Sequence, residues 1–131
     1  FCYKMRNTNG TQNQILLRLA DILLLKAEAL TELGQLDAVS GAQYYVNLVR
    51  SRAKLAPTTA TTADALRTAI AKERRLELAF EGHRWYDLKR TGKAIETMTA
   101  LGYTLNENKL LFPIPQGERD KNINLKQNPG Y

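Results

Sequence analysis

The chain has 131 residues, of which 44% are hydrophobic and 24% charged, a composition and a length typical of one globular domain with a core. No stretch reaches the roughly 18 consecutive apolar residues of a membrane span. The net charge of +6 is spread along the chain, whereas nucleic-acid-binding proteins concentrate basic residues on one face. Composition therefore argues against nucleic acid as a partner and against a membrane span.

The N-terminal residues, FCYKMRNTNG, show neither an initiator methionine nor a signal-peptide pattern. We therefore expect the chain to be a fragment of a longer protein. Cys2 is the only cysteine, which excludes an internal disulfide and leaves its role open. Asn9-Gly10 predicts a turn.

The first predicted element is a helix from Gln14 to Leu33, with Gly34 as its C-terminal cap. Because residues 15–25 are apolar on most faces, we expect this helix to be buried. A turn at 35–37 and a second helix at about 38–54 follow. So short a turn predicts antiparallel packing, a helical hairpin over 14–54 of the tetratricopeptide type, although no second copy of a 34-residue repeat is present.

Charged side chains recur along one stripe of the first helix, at Arg18, Asp21, Glu28 and Glu32. Two alternatives are open for this stripe. It faces either solvent or the charged helix that follows.

Residues 55–63 form a linker, in which Pro57 ends the preceding helix and threonines provide N-cap oxygens. A charged helix is predicted over 63–81. It carries three glutamates four residues apart, Glu73, Glu77 and Glu81, and a row of like charges is unfavourable on an isolated helix. We expect these glutamates to be partly buried and paired with Arg74, Arg75, Arg84 and neighbouring helices.

Gly82 ends or kinks the charged helix, and a short helix over 84–90 then carries Trp85 and Tyr86. A further helix at 93–101 completes the predicted segment 63–102. Prolines and glycines make 103–131 an extended tail with one helical turn at 116–121. Four apolar residues are expected to anchor this tail on the helices: Leu110, Leu111, Phe112 and Ile114.

The sequence offers little for catalysis. His83 is the only histidine, and together with one cysteine it cannot build a zinc-type cluster. No glycine motif for phosphate or dinucleotide binding is present. The glutamates beside arginines favour ion pairs over a general acid. We therefore expect no enzyme activity, no cofactor and no metal.

Aromatic residues are the remaining candidates for ligand contact, because their faces can stack on a sugar or a base. They are Trp85 and Tyr86, followed by Tyr44, Tyr45 and Tyr103. For each of them ordinary packing is the favoured interpretation. The sequence therefore identifies no ligand-binding residue.

Three segments together resemble the SusD/RagB family: RLADILLLKAEAL at 18–30, ERRLELAFEGHRWYDLKR at 73–90 and LLFPIPQGERDKNINLKQNPGY at 110–131. The second and third are long and specific, and they lie in the family's order. Tyr86 stands where the family often has Phe, and Thr91 where it often has a bulky aromatic residue. The shared residues fit a buried ion-pair network beneath an aromatic plug formed by Phe80 and Trp85.

The resemblance implies an all-α fold with a tetratricopeptide-like helical hairpin, further helices and an irregular C-terminal tail, in the C-terminal third or so of a longer protein. It implies a surface-exposed outer-membrane lipoprotein, held by a lipid anchor outside this chain. Its expected partners are a polysaccharide or oligosaccharide, or a peptide, and a SusC-like TonB-dependent transporter. The alternative is an α-helical protein-interaction scaffold with no small ligand.

Overall fold

The computed structural model describes Lys4, Gly10 and residues 15–131, and in these residues it contains helices and no strands. The six α-helices are α1 (Leu19–Glu32), α2 (Ala42–Arg52), α3 (Ala63–Glu77), α4 (His83–Arg90), α5 (Ala94–Ala100) and α6 (Gln116–Lys121), and a 3-10 helix spans Glu107–Leu110. The chain divides into two compact units, Phe1–Arg84 and Trp85–Tyr131. Cys2, Asn9 and Gln14 lie outside the described residues, and one domain over 1–131 stays a prediction.

Helix α1 begins later than predicted, because Arg18 is its N-cap with an extended backbone at φ −149°. Residues 15–18 are therefore not helical. The C-terminal end agrees with the prediction. Gly34 has a φ of +74°, and the amides of Gly34 and Gln35 donate to the carbonyls of Thr31 and Leu30 at 3.1 and 2.9 Å, as in a glycine-terminated helix.

The loop between α1 and α2 is longer than the predicted turn, so that α2 begins at Ala42 and not near residue 38. Asp37 shapes it, because its Oδ1 accepts hydrogen bonds from the amides of Val39 and Ser40 at 2.8 and 2.9 Å. A Cβ on Gly41 would lie 2.6 Å from atoms of Asp37 and Gln35. Glycine at this position thus permits the close approach that starts α2.

Helices α1, α2 and α3 share one hydrophobic core. Its fully buried side chains include Leu24, Val46, Leu66 and Ile70. The predicted burial of the first helix is wrong for several apolar residues. Leu19, Ile22 and Leu25 are exposed on α1, and Ile15, Leu16 and Leu17 are exposed in the segment that precedes it. These are the residues that made the segment look apolar on most faces.

The linker before α3 is confirmed, and the Thr62 side chain caps α3 by accepting a hydrogen bond from the amide of Ala65 at 3.3 Å. Helix α3 ends at Glu77 and not at Glu81. The chain then turns through 78–82, where Phe80 and Gly82 have φ values of +67° and +83°. This turn places Glu81 outside the helix.

In the second unit, α4 and α5 lie within a residue or two of their predicted positions, and the helical turn at 116–121 is confirmed as α6. The rest of the C-terminal segment is irregular. Leu111 and Phe112 are exposed by 54% and 64%, so their predicted role as anchors is wrong. Leu110 and Ile114 are half-buried.

Candidate functional site

The charged stripe of α1 faces α3, which decides between the two alternatives left open by the sequence. Asp21 Oδ1 lies 2.7 Å from Arg74 Nη1, and each side chain is 4% exposed. At the far end of α1, Glu32 pairs with Arg67 at 2.7 Å in a solvent-exposed position. Salt bridges therefore join α1 to α3 near both ends of α1, buried at the Asp21 end and exposed at the Glu32 end.

Arg18 joins two of the predicted glutamates. Its Nη1 lies 2.6 Å from Glu77 Oε1 and its Nε lies 2.7 Å from Glu81 Oε2. The guanidinium also donates to the backbone carbonyl of Glu77. Lys4 adds a second cation, since it pairs with Glu81 and donates to the Glu77 carbonyl at 2.6 Å. The turn at 78–82 thus brings Glu81 back to the same cation as Glu77.

Helix α2 supplies two cations, Arg50 and Arg52, that were not among the predicted partners of the glutamates. Arg50 Nη1 lies 2.8 Å from Glu73 Oε2, and Arg52 Nη2 lies 2.7 Å from Glu77 Oε2. Expected pairing with neighbouring helices is confirmed, although the cations shown on Glu73 and Glu77 come from α2 and from Arg18. The local sequence signal for this pairing is the presence of basic residues in the last turn of α2. Basic residues are common in that position in any case, because they interact favourably with the helix dipole.

The network sets the protonation of its carboxyl groups. Burial raises the pKa of Glu77, but hydrogen bonds and positive charge from Arg18 and Arg52 outweigh it and lower that pKa below its ordinary 4.5. Burial also raises the pKa of Glu81, but hydrogen bonds and positive charge from Arg18 and Lys4 outweigh this effect and lower that pKa. Hydrogen bonding to Glu81 raises the pKa of Arg18. All three groups are therefore charged at neutral pH.

We expect acid to destabilise the first unit. A carboxyl group whose pKa is lower in the folded state stabilises the fold above its unfolded pKa, and this contribution is lost as pH falls through the folded pKa. The midpoint temperature of thermal unfolding should therefore be constant near neutral pH. It should decrease at pH values below the ordinary glutamate pKa of 4.5. Circular dichroism melts at a series of pH values measure this.

Arg18→Gln provides the matched control for this pH dependence. The variant lacks the cation shared by Glu77 and Glu81, so the difference in midpoint between wild type and variant should narrow as pH falls. A difference that stays constant from neutral to acid pH would show that these two carboxyl groups do not govern the acid transition.

The network has the features of a structural element. Its carboxylates are each held by arginine or lysine, which disfavours the raised pKa of a general acid. His83 lies at the start of α4 and is half-buried. In the part of the chain that the structure describes, no group of three or more His, Cys, Asp or Glu side chains is placed to hold a metal ion. Within that same part, no helix has the length and apolar character needed to cross a membrane.

The predicted aromatic plug is wrong for Phe80. Phe80 is 71% exposed, so it does not cover the ion pairs, whereas Trp85 is half-buried. Tyr86 and Tyr103 are exposed. These residues are thus distributed between buried and solvent-facing positions, and ordinary packing does not account for all of them.

Tyr44 and Tyr45 on α2 contact each other edge to face, with ring centroids 5.1 Å apart and planes at 86°. Tyr45 is half-buried against the core, and Lys26 Nζ lies 4.3 Å from its ring centroid. Oδ1 of the nearby Asn47 accepts a hydrogen bond from the amide of Thr58 at 2.8 Å. Perpendicular rings do not form one flat surface for a sugar, so this pair serves packing.

The fold and this site define an all-helical protein whose charged residues hold its helices together. The SusD family model matches residues 3–131. SusD-like protein P38 of Formosa agariphila is 40% identical over 129 residues, which cover 91% of this chain and 25% of P38. The chain belongs to the SusD family.

Solved structures agree with this assignment. A laminarin-binding SusD-like protein has a TM-score of 0.70 and 48% identity, covering 92% of this chain and 23% of that one. Surface glycan-binding protein A of Bacteroides thetaiotaomicron has a TM-score of 0.72 and 37% identity, covering 88% and 24%. The all-α, tetratricopeptide-like fold is confirmed. The chain spans about a quarter of the length of the curated relatives it matches.

Proposed function

We propose that this chain is the C-terminal part of a non-enzymatic, glycan-binding protein of the bacterial outer-membrane surface. The observation that carries the proposal is the match to the SusD family over residues 3–131, together with 48% identity to a laminarin-binding SusD-like protein. The carboxylates of the ion-pair network support a role without bond making, because each is neutralised by a basic partner.

In the full-length protein we propose that the captured glycan passes to a SusC-like TonB-dependent transporter. The protein would be held at the cell surface by a lipid anchor outside this chain. Purification of the tagged full-length protein from outer membranes tests this part. We expect a TonB-dependent transporter to co-purify, and the protein recovered without any such transporter would overturn the delivery step.

Glycan binding is tested by thermal melts of the chain alone and with laminarin, starch or xylan. A ligand that binds only the folded state raises the unfolding midpoint by mass action. We expect at least one polysaccharide to raise it in a concentration-dependent manner, with dextran of similar viscosity as the control. A cooperative melt that none of the polysaccharides moves would contradict glycan binding by these residues.

The second candidate, a protein-interaction scaffold without a small ligand, is favoured by exposed apolar residues just before α1 and at its first position. Leu16, Leu17 and Leu19 are 75%, 72% and 72% exposed, and contiguous exposed apolar surface is typical of interaction sites. A melt unaffected by glycans, combined with sedimentation that depends on protein concentration, would favour this candidate over glycan capture.

A further inference from the structure

Helix α1 is apolar on two opposite faces. One face, with Ala20, Leu24 and Ala27, packs in the core that α1 shares with α2 and α3. The other carries exposed apolar residues at spacings of three and four, the last of them at the C-cap: Leu19, Ile22, Leu25, Ala29 and Leu33. Residues at these spacings lie on one side of a helix, and we term this surface the outer face of α1. A helix that is apolar on opposite sides is typical of one packed between two layers.

The outer face is exposed along the whole length of the helix. Leu19 and Leu33, at its two ends, are 72% and 71% exposed, and Ile22 between them is 51% exposed. From residue 19 to residue 33 a helix rises by roughly 21 Å. Single exposed leucines are ordinary on a protein surface, whereas an apolar row of this length is typical of an interface.

Lys26 lies within the outer face, but its charge is held on the side of α2. Lys26 follows Ile22 by four residues and precedes Ala29 by three, so helix geometry places it among the apolar residues. Its Nζ lies 4.3 Å from the ring centroid of Tyr45 on α2, a favourable contact between a cation and an aromatic ring. The aliphatic stem of a lysine held in this way adds apolar surface. The charge of Lys26 therefore does not interrupt the outer face.

The backbone of α1 restricts what can cover this face. The amide and carbonyl groups in the interior of a helix bond to each other, so the outer face presents side chains and no free backbone groups. A segment lying on it, away from water, has to satisfy its own backbone hydrogen bonds, as a second helix does. Side chains at these spacings form ridges into which another helix packs, and Ala29, between Leu25 and Leu33, permits a close approach. The chemistry of the outer face therefore fits an amphipathic α-helix.

The length of the relatives indicates where that helix comes from. The chain spans about a quarter of the length of its curated relatives. In tetratricopeptide-like folds, a helical hairpin cannot bury its apolar surface alone and stacks against a neighbouring hairpin. Among the described residues, α1 and α2 form one such hairpin, and α3 packs on the buried side of α1. A neighbouring helix for the outer face is thus available in the remainder of the full-length protein.

We propose that the outer face of α1 is an interface inside the full-length protein, covered by an α-helix from outside residues 1–131. This inference rests on the proposed function above, in which the chain is part of a longer protein. The contacting residues of that helix are aliphatic and recur every three or four positions. Helix α1 then lies between two layers, with the core cluster on one side and this helix on the other. The interface accounts for the exposed apolar residues along α1.

Thiol labelling of the full-length protein and of the 131-residue chain tests the interface. Ala29→Cys is introduced into both after Cys2 and any other cysteine are replaced by serine. We expect N-ethylmaleimide to modify Ala29→Cys about tenfold or more slowly in the full-length protein than in the chain alone, because a packed interface has to open before the reagent reaches the thiol. Ala71→Cys is the matched control, since Ala71 is an exposed alanine on α3, and it should react at similar rates in both proteins.

The outcomes identify what covers the face. Equally fast labelling of Ala29→Cys in both proteins would overturn the proposal and leave the face open to another protein, as in the scaffold candidate. Slow labelling that appears only at concentrations where sedimentation shows a dimer would also overturn it, because a second copy would then cover the face. Ile22→Cys is a second probe if Ala29→Cys does not fold, since cysteine is smaller than isoleucine. Labelling requires no glycan, so failure of the interface and failure of glycan binding are separate results.

Discussion

Replacement of Arg74 by methionine is expected to destabilise the first unit by about 3–5 kcal/mol, because it leaves the Asp21 carboxylate buried without its cation. Asp21 and Arg74 lie 2.7 Å apart and are each 4% exposed at the contact between α1 and α3. Desolvation of an unpaired charge is far more costly than the loss of a neutral contact. Urea unfolding followed by circular dichroism measures the loss in unfolding free energy.

Two further variants make the result specific. The double variant Asp21→Leu/Arg74→Met removes both charges and should recover much of the loss, since a buried ion pair is often replaceable by apolar groups of similar volume. Arg67→Met breaks the exposed pair with Glu32 and should show no measurable loss, because solvent screens such pairs. If Arg74→Met were as mild as Arg67→Met, the pair would not be buried in solution.

Replacement of Leu24 by alanine is expected to cost about 2–5 kcal/mol, since it removes a fully buried side chain from the core and leaves a cavity. Leu24 is 0% exposed and packs in the cluster that α1 shares with α2 and α3. The urea concentration at the midpoint of unfolding should fall accordingly. The slope of unfolding free energy against urea concentration should stay unchanged if the folded state is otherwise preserved.

Leu25→Ala is the matched control, because it is the same substitution one residue along the same helix. Leu25 is 37% exposed, and we expect a loss of about 1 kcal/mol or less, as for most substitutions outside the core. Equal losses for the two variants would contradict the orientation of α1. A larger loss for Leu25→Ala than for Leu24→Ala would mean that the helix buries its other face in solution.

Helix existence could be predicted from the sequence because its causes are local. Gly34 ends α1, Thr62 caps α3, and apolar periodicity marks the helices between them. The predicted starts of α1 and α2 were less accurate. Arg18 reads as part of a helix by propensity, yet it is the extended N-cap whose side chain reaches Glu77 and Glu81. Tertiary pairing here outweighs propensity.

The charged and aromatic residues show the same difference between what local sequence predicts and what tertiary contacts decide. The glutamates at 73, 77 and 81 could be identified as needing cations, because like charges repeat every four residues. Arg50 and Arg52, which pair with Glu73 and Glu77, lie more than twenty residues away in another helix, and no local pattern links them. Phe112 was expected to be an anchor because it is apolar, yet its side chain is 64% exposed.

The helical class, the caps at Gly34 and before α3, the linker and membership in the SusD family could be inferred from the sequence, because they depend on side-chain type and short-range spacing. Packing of the helices against one another, in contrast, selects which leucines of α1 are buried and which cation pairs with each carboxylate. Hydrogen bonds between side chains and backbone likewise bring residues 127–131 back to 109–114. Adjacent leucines such as Leu24 and Leu25 are chemically identical, and their burial depends on the helices packed against them.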